Sequence, residues 1–295
     1  MRKILLFLLS LMLAATLFTG CSSKKNVVMV GAKAFTEHDI LGNVLKFLIE
    51  EHTDLSATVK FNLDSLVVFE AIKNGEIDLY IDYTGTVYGN YFGYTEKRTP
   101  IDIYNLCKKE LKERFDLLML DQMGFNNTYT LSVRKDTVDK YNLKSISDLA
   151  KVSHELSIAA NIESLNREDG VKGVVKAYNM NFIRAVAVEG NLRYTAIEND
   201  EVQVIDAYAT EGLTLKYHLT VLDDDLSFFP AYHAAVIIRQ ASADKYPELL
   251  KVMDMLTGTI DDDRMRDLNY RVDVLQKDPQ AVARAFLKEA GLAKK

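Results

Sequence analysis

Tyrosine is the residue whose type and placement in this chain most invite chemistry: there are 15, against no tryptophan. Tyr80, Tyr83, Tyr88, Tyr91 and Tyr94 crowd one stretch, NGEIDLYIDYTGTVYGNYFGY, from Asn74 to Tyr94. Others stand at the ends of strand-like apolar runs: Tyr129 in FNNTYTL, Tyr208 in VIDAYATEG and Tyr232 in FFPAYHAA. A tyrosine face attracts a desolvated cation by about 0.5–2 kcal/mol, so several faces around one point make a site for a quaternary ammonium. Each ring would equally suit a core or a groove edge, with its hydroxyl turned to a partner. Spacing alone leaves both readings open at every position.

Other chemistries find little support. There is no GxSxG elbow, no Walker A loop and no GxGxxG after a strand. No CxxC or HExxH occurs and the 5 histidines are scattered, which disfavours a metal site. The acidic runs Asp223–Asp225 and Asp261–Asp263 read as turns or helix caps, and GVKG (Gly170 to Gly173) is too short a signal for phosphate. The chain is therefore expected to be no enzyme and to need no cofactor. Its net charge of −6, without a long basic run, argues against nucleic acid as a partner.

The elements that must position these tyrosines follow an α/β rhythm. At 295 residues and 48% hydrophobic, the chain can bury two medium α/β cores. Val27–Gly31 reads as a buried strand, then a helix capped by Thr36 carries Ile40, Leu41, Val44, Leu45 and Leu48 at helical spacing. Thr58–Leu63 and Ile77–Ile81 read as further strands around a helix at Ser65–Lys73, which predicts a parallel sheet covered on both faces. A second rhythm begins after Gly124. Strands are predicted at Phe125–Arg134, Leu156–Ala160, Val202–Tyr208 and Ala234–Arg239. Helices are predicted in SISDLA after Lys144, at Val171–Tyr178 and at Asn191–Glu198. The division expected is two lobes, 26–128 with 234–295 and then 129–233, joined by strand-like crossings without a flexible tether. Ligands of such sheets sit beyond the strand ends, where the loops gather.

The first 21 residues are a separate object. Arg2 and Lys3 precede an apolar run from Ile4 to Leu17, then small residues lead to Cys21 in TLFTGC. That run is short for a membrane span and reads as an export signal. Its closing cysteine resembles the lipoprotein box, with Phe18 where leucine is usual, so Cys21 is the expected lipidation site. Removing Arg2 and Lys3 with the signal takes the net charge from −6 to −8. Cys107 would then be the other thiol, read as a buried small hydrophobe.

Five segments in order, GAKAFTEHDILGNVL, NGEIDLYIDYTGT, GFNNTYTLSVRKD, NREDGVKG and DLSFFPAYHAAVIIR, are similar to the OpuAC-type substrate-binding proteins of osmoprotectant ABC importers. The resemblance runs from about Val27 to the C-terminus. It implies a periplasmic-binding-protein type II fold: two α/β lobes, two hinge crossings and a ligand cleft between them. It further implies Tyr83, Tyr129, Tyr208 and Tyr232 as cage walls and Thr86 as a polar contact at the cage floor. Lys33 and Arg167 would receive a carboxylate, and Asn127 would add a hydrogen bond. The implied partners are a small quaternary-ammonium ligand, an ABC permease with its ATPase and, through Cys21, the membrane; the protein is expected to act as a monomer outside the cytoplasm.

Departures from the family pattern are His38 where glutamine is common, Ala209-Thr210-Glu211-Gly212 for STDG, and LDSL (Leu63 to Leu66) for a GGT-like turn. An ammonium and a guanidinium are natural receivers of a carboxylate. Left unpaired, they would oppose choline, so glycine betaine is expected first, carnitine or proline betaine next and choline weaker. A choline-selective binder and a sensory lipoprotein unlinked to transport are the alternatives.

Overall fold

The computed structural model describes residues 26–294; the export segment and Cys21 lie outside them. The strands are β1 (Val27–Lys33), β2 (Ser56–Leu63), β3 (Leu79–Tyr83), β4 (Leu117–Asn126), β5 (Tyr129–Arg134), β6 (Ser157–Asn161), β7 (Arg184–Val188), β8 (Val204–Tyr208), β9 (Leu219–Val221) and β10 (His233–Arg239). They form two five-stranded sheets, ordered β2-β1-β3-β10-β4 and β7-β6-β8-β5-β9.

Both sheets are mixed where a parallel sheet is expected. β1 pairs in parallel with β2 and β3, but β10 runs antiparallel to both β3 and β4. In the second sheet β6 is parallel to β7 and β8, and β5 is antiparallel to β8 and β9. The cause is connectivity: β4 runs straight into β5, and β10 returns from the second sheet, so both enter against the local direction. The predicted strand at Phe125–Arg134 is accordingly two strands, split at Asn127–Thr128 where the chain crosses. The returning crossing lies beside it. Asn127 N–H donates to the Tyr232 carbonyl at 3.0 Å, and Tyr232 N–H donates to Asn126 Oδ1 at 2.7 Å.

Each sheet is covered on both faces, as its apolar strands require. The Thr36–His52 helix lays Ile40, Leu41, Val44, Leu45 and Leu48 on one face of the first sheet, each fully buried, beside the C-terminal helices Asp262–Asp273 and Pro279–Glu289. Ser65–Asn74 and Pro100–Phe115 cover the other face, with Cys107 buried among them. Burial pushes that thiol up, so it is inert.

Local chemistry explains several boundaries. Ser145 and Asp148 form a reciprocal capping box that starts the Ile146–Val152 helix. Asp64 of LDSL accepts from Leu66 N–H and starts Ser65–Asn74. Thr36, however, is not a cap: Phe35 holds that position, and the Thr36 hydroxyl donates to Asp273 at 2.6 Å. The acidic runs are turn and cap residues: Asp261 caps Asp262–Asp273, and Asp224 accepts from the Phe228 and Phe229 amides.

Candidate ligand-binding site

Three of the four expected cage tyrosines meet ring to ring. Tyr129 on β5 stands directly opposite Tyr208 on β8, which sets their rings 5.0 Å apart. Tyr232, on the returning crossing, meets Tyr129 edge to face at 5.5 Å, and Phe229 adds a fourth ring at 5.8 Å. Gly85 of the TGT turn makes room for this: a Cβ there would lie 2.6 Å from the Tyr232 ring.

Arg167 sits behind this cluster, its guanidinium 5.7 Å over the Tyr129 ring. Asp169 takes Nε and Nη2 at 2.7 and 2.5 Å, and Glu163 takes Nη1 at 2.9 Å. The Tyr232 hydroxyl donates to Asp169 Oδ2 at 2.7 Å, and burial followed by that carboxylate pushes its phenol well above the usual range. The glycines of GVKG serve packing: a Cβ on Gly170 or Gly173 would strike the Ser164 or Glu168 carbonyl of the loop that carries Arg167.

Tyr83 stands apart from that trio. Its ring contacts are His38 at 5.7 Å and Phe125 at 6.4 Å, and Lys33 Nζ lies 5.2 Å over its face. Lys33 is itself buried and paired with Asp82 at 2.5 Å. The Tyr83 hydroxyl donates to Glu37 Oε1 at 2.5 Å, and Asn127 Nδ2 donates to the same oxygen at 2.9 Å. Asn127 Oδ1 is left without a partner. That atom is an acceptor and cannot serve a ligand carboxylate. Thr86 is buried at the start of a π-helical turn, Thr86–Tyr91, three residues beyond Tyr83. His38, packed on Phe35 at 4.6 Å, is held neutral by burial and by Lys33.

The segment that departs from STDG holds the two sheets together. Thr210 Oγ1 donates to Glu37 Oε2 at 2.6 Å, Asn269 donates to the Thr210 carbonyl at 3.0 Å, and Arg266 donates to the Ala209 carbonyl. Gly212 presses on the Tyr270 backbone, where a Cβ would lie 2.6 Å away. Glu211 binds the buried Arg193 and the Tyr194 hydroxyl and accepts from Tyr208 N–H. Arg193 also lies 5.9 Å from the Tyr208 ring, so this ionic group braces that tyrosine.

These pairings correct one premise. Lys33 and Arg167 are not bare cations awaiting a carboxylate, because Asp82, Glu163 and Asp169 already neutralise them. Their capacity is not exhausted. Lysine carries three N–H donors and arginine five, so each keeps donors beyond those used here.

Sequence reasoning missed Glu37, Asp82, Asp169 and Arg193. For Glu37 the signal was present: it lies four residues before Leu41, so a carboxylate occupies the apolar stripe of its helix. Partners such as Asp82 carry no such mark. The four tyrosines of 80–94 other than Tyr83 are structural. Tyr80 is fully buried, Tyr91 stacks on Phe69 at 4.1 Å, Tyr88 bonds Glu96 and Tyr94 bonds Glu110. A cavity of about 1730 Å³ lies alongside, lined by Asn126, Thr128 and Pro230 of the crossings and by Tyr88, Tyr94, Tyr129, Asp169 and Phe229, while Tyr83, Tyr208, Tyr232 and Arg167 are not on its wall.

Two mixed α/β sheets, two adjoining crossings and buried aromatic and ionic groups between them define a type II substrate-binding protein. The OpuAC family, described as the substrate binding domain of an ABC-type glycine betaine transport system, matches residues 26–289, and the chain belongs to it. Proteins of this family are extracytoplasmic and bind a small ligand for an ABC permease; they are not enzymes. The carnitine transport binding protein OpuCC of Listeria monocytogenes is 36% identical, covering 98% of this chain and 96% of that one. The ergothioneine transport permease/binding protein EgtU of Helicobacter pylori is 36% identical over 90% of this chain, which spans only 48% of that longer protein. A crystal structure described as a glycine betaine/carnitine/choline ABC transporter superposes with a TM-score of 0.76 at 32% identity, covering 90% of this chain and 99% of that chain.

Proposed function

We propose that this protein captures a carboxylated quaternary-ammonium osmoprotectant for an ABC importer, glycine betaine first, carnitine or proline betaine next and choline weaker. The carrying observation is the cluster of Tyr129, Tyr208 and Tyr232 with Arg167 over the Tyr129 ring. Aromatic faces suit the trimethylammonium head, and the spare donors of Arg167 and Lys33 suit the carboxylate. Tyr83 with Thr86 completes the cage from the first lobe. The ligands in the names of the two relatives, carnitine and ergothioneine, are both trimethylammonium carboxylates. With Lys33 and Arg167 already paired, choline loses to a betaine through unmet N–H donors rather than through bare repulsion, so the margin is modest.

The lobes are taken as 26–128 with 234–295 and as 129–233, closing on the ligand about the two crossings. A ligand touching both favours the closed form by its differential affinity, and that form is offered to the permease. Among the described residues no helix is long and apolar enough to cross a membrane. Membrane attachment is assigned to a lipid on Cys21, where one acyl chain alone would hold only marginally, and the protein works as a monomer. Native mass spectrometry of freshly purified protein tests the ligand class. A bound mass matching a betaine supports it, and a bound amino acid or sugar would replace it.

A further inference from the structure

Glu37 is 2% exposed and has no cation among its hydrogen-bond partners. Four neutral donors take its place. Oε1 accepts from the Tyr83 hydroxyl at 2.5 Å and Asn127 Nδ2 at 2.9 Å; Oε2 accepts from Thr210 Oγ1 at 2.6 Å and Asn269 Nδ2 at 3.1 Å. Burial holds this carboxyl above its usual range, against the opposing pull of the four hydrogen bonds. A carboxylate offers about four lone-pair sites, so this one is saturated by the protein and has none for a ligand. Its donors come from four places: the end of β3, the outgoing crossing, the loop after β8 and the Asp262–Asp273 helix.

No neutral side chain of the same size can do this. Glutamine offers one acceptor oxygen and sets an NH₂ group against two donors. The requirement explains why a charged residue is tolerated on the apolar stripe of a helix. We propose that Glu37 is a positioning residue that joins the ligand-facing phenol of Tyr83 to the crossing at Asn127 and to Thr210 of the second sheet. Through it, the orientation of a first-lobe cage wall and the docking of the second lobe depend on one another. This rests on the reading of Tyr83 as a cage wall, but the joint itself is a property of the protein without ligand.

The test compares T210V, T210S, E37Q and the T210V/E37Q pair. It uses titration calorimetry with glycine betaine and small-angle scattering of the ligand-free protein, each at a temperature well below the melting point. T210V should weaken binding about tenfold and T210S should restore it to within about threefold. E37Q should cost about thirtyfold or more, and adding T210V to it should cost little further, because both remove one shared joint. T210V changes a single buried hydroxyl and decides the matter should E37Q not fold. Variants that melt lower yet bind like wild type would reduce Glu37 to a structural residue and overturn the inference, as would losses that simply add. If wild-type protein binds no quaternary ammonium, the proposed function fails, and scattering judges the joint. A larger radius of gyration in T210V than in wild type and T210S supports it; equal radii in all variants overturn it.

Discussion

Tyr83 and Tyr129 are built alike and held differently. Both are buried tyrosines with a cation over the ring, Lys33 at 5.2 Å and Arg167 at 5.7 Å, and each cation is paired with acidic residues. Tyr129 is fixed by rings: Tyr208, Phe229 and Tyr232 surround it. Tyr83 is fixed by its hydroxyl, through a carboxylate that also receives Asn127, Thr210 and Asn269. The ionic partners of Arg167 lie within four residues of it, so that ionic group is assembled on one segment, while the rings around Tyr129 come from β8 and the returning crossing. The partners of Glu37 are 46 to 232 residues away and require the whole fold. Arg167 is held by local chemistry and Glu37 by architecture.

The largest expected effect strikes the local group. Arg167→Ala should reduce glycine betaine affinity by about 100-fold, since it removes the guanidinium and leaves the Glu163 and Asp169 carboxylates without their cation. Calorimetry within threefold of wild type would take Arg167 out of the site. Tyr129→Ala should follow at about thirtyfold, exceeding Tyr83→Ala at about tenfold, because Tyr129 also carries the ring packing of its neighbours. The reverse order would make Tyr83 the principal wall. Tyr94, whose hydroxyl reaches Glu110 and no site residue, marks the lower bound: Tyr94→Phe should leave affinity unchanged.

A smaller effect concerns stability near the joint. Burial, then the charge of Asp273, raise Asp39 to about 6. A carboxyl raised on folding contributes most stability below its unfolded value, near 4, and that contribution is lost as pH rises through 6. Asp39→Asn should therefore stabilise the protein above pH 6 by about 1 kcal/mol, after discounting for exposure, and leave it unchanged below pH 4. Thermal melts across pH 4–8 check the sign; a variant less stable at pH 8 would refute it.

Much of the molecule was legible in the sequence. Apolar spacing placed the Thr36–His52 helix and most strands, because those patterns record which faces are buried. The mixed sheets were not legible, since strand direction is set by where β4 and β10 cross, and no local pattern encodes that. The roles of the tyrosines leave only a partial mark in spacing. Tyr88 and Tyr91 follow helical spacing and pack, whereas the cluster of Tyr129, Tyr208 and Tyr232 depends on cross-strand register and on Gly85. Carboxylate partners escaped notice because an aspartate beside a lysine in space leaves no trace in spacing. Glu37 escaped because acidic residues in a first helical turn have an ordinary reading as dipole partners.

The central claim, a cleft matched to both ends of a zwitterionic quaternary ammonium, is tested most directly by side-by-side calorimetry of wild-type protein with glycine betaine and choline. Glycine betaine should bind more tightly, with the difference shrinking in Arg167→Ala as the carboxylate loses its receiver. Choline binding more tightly than glycine betaine to wild type would contradict it.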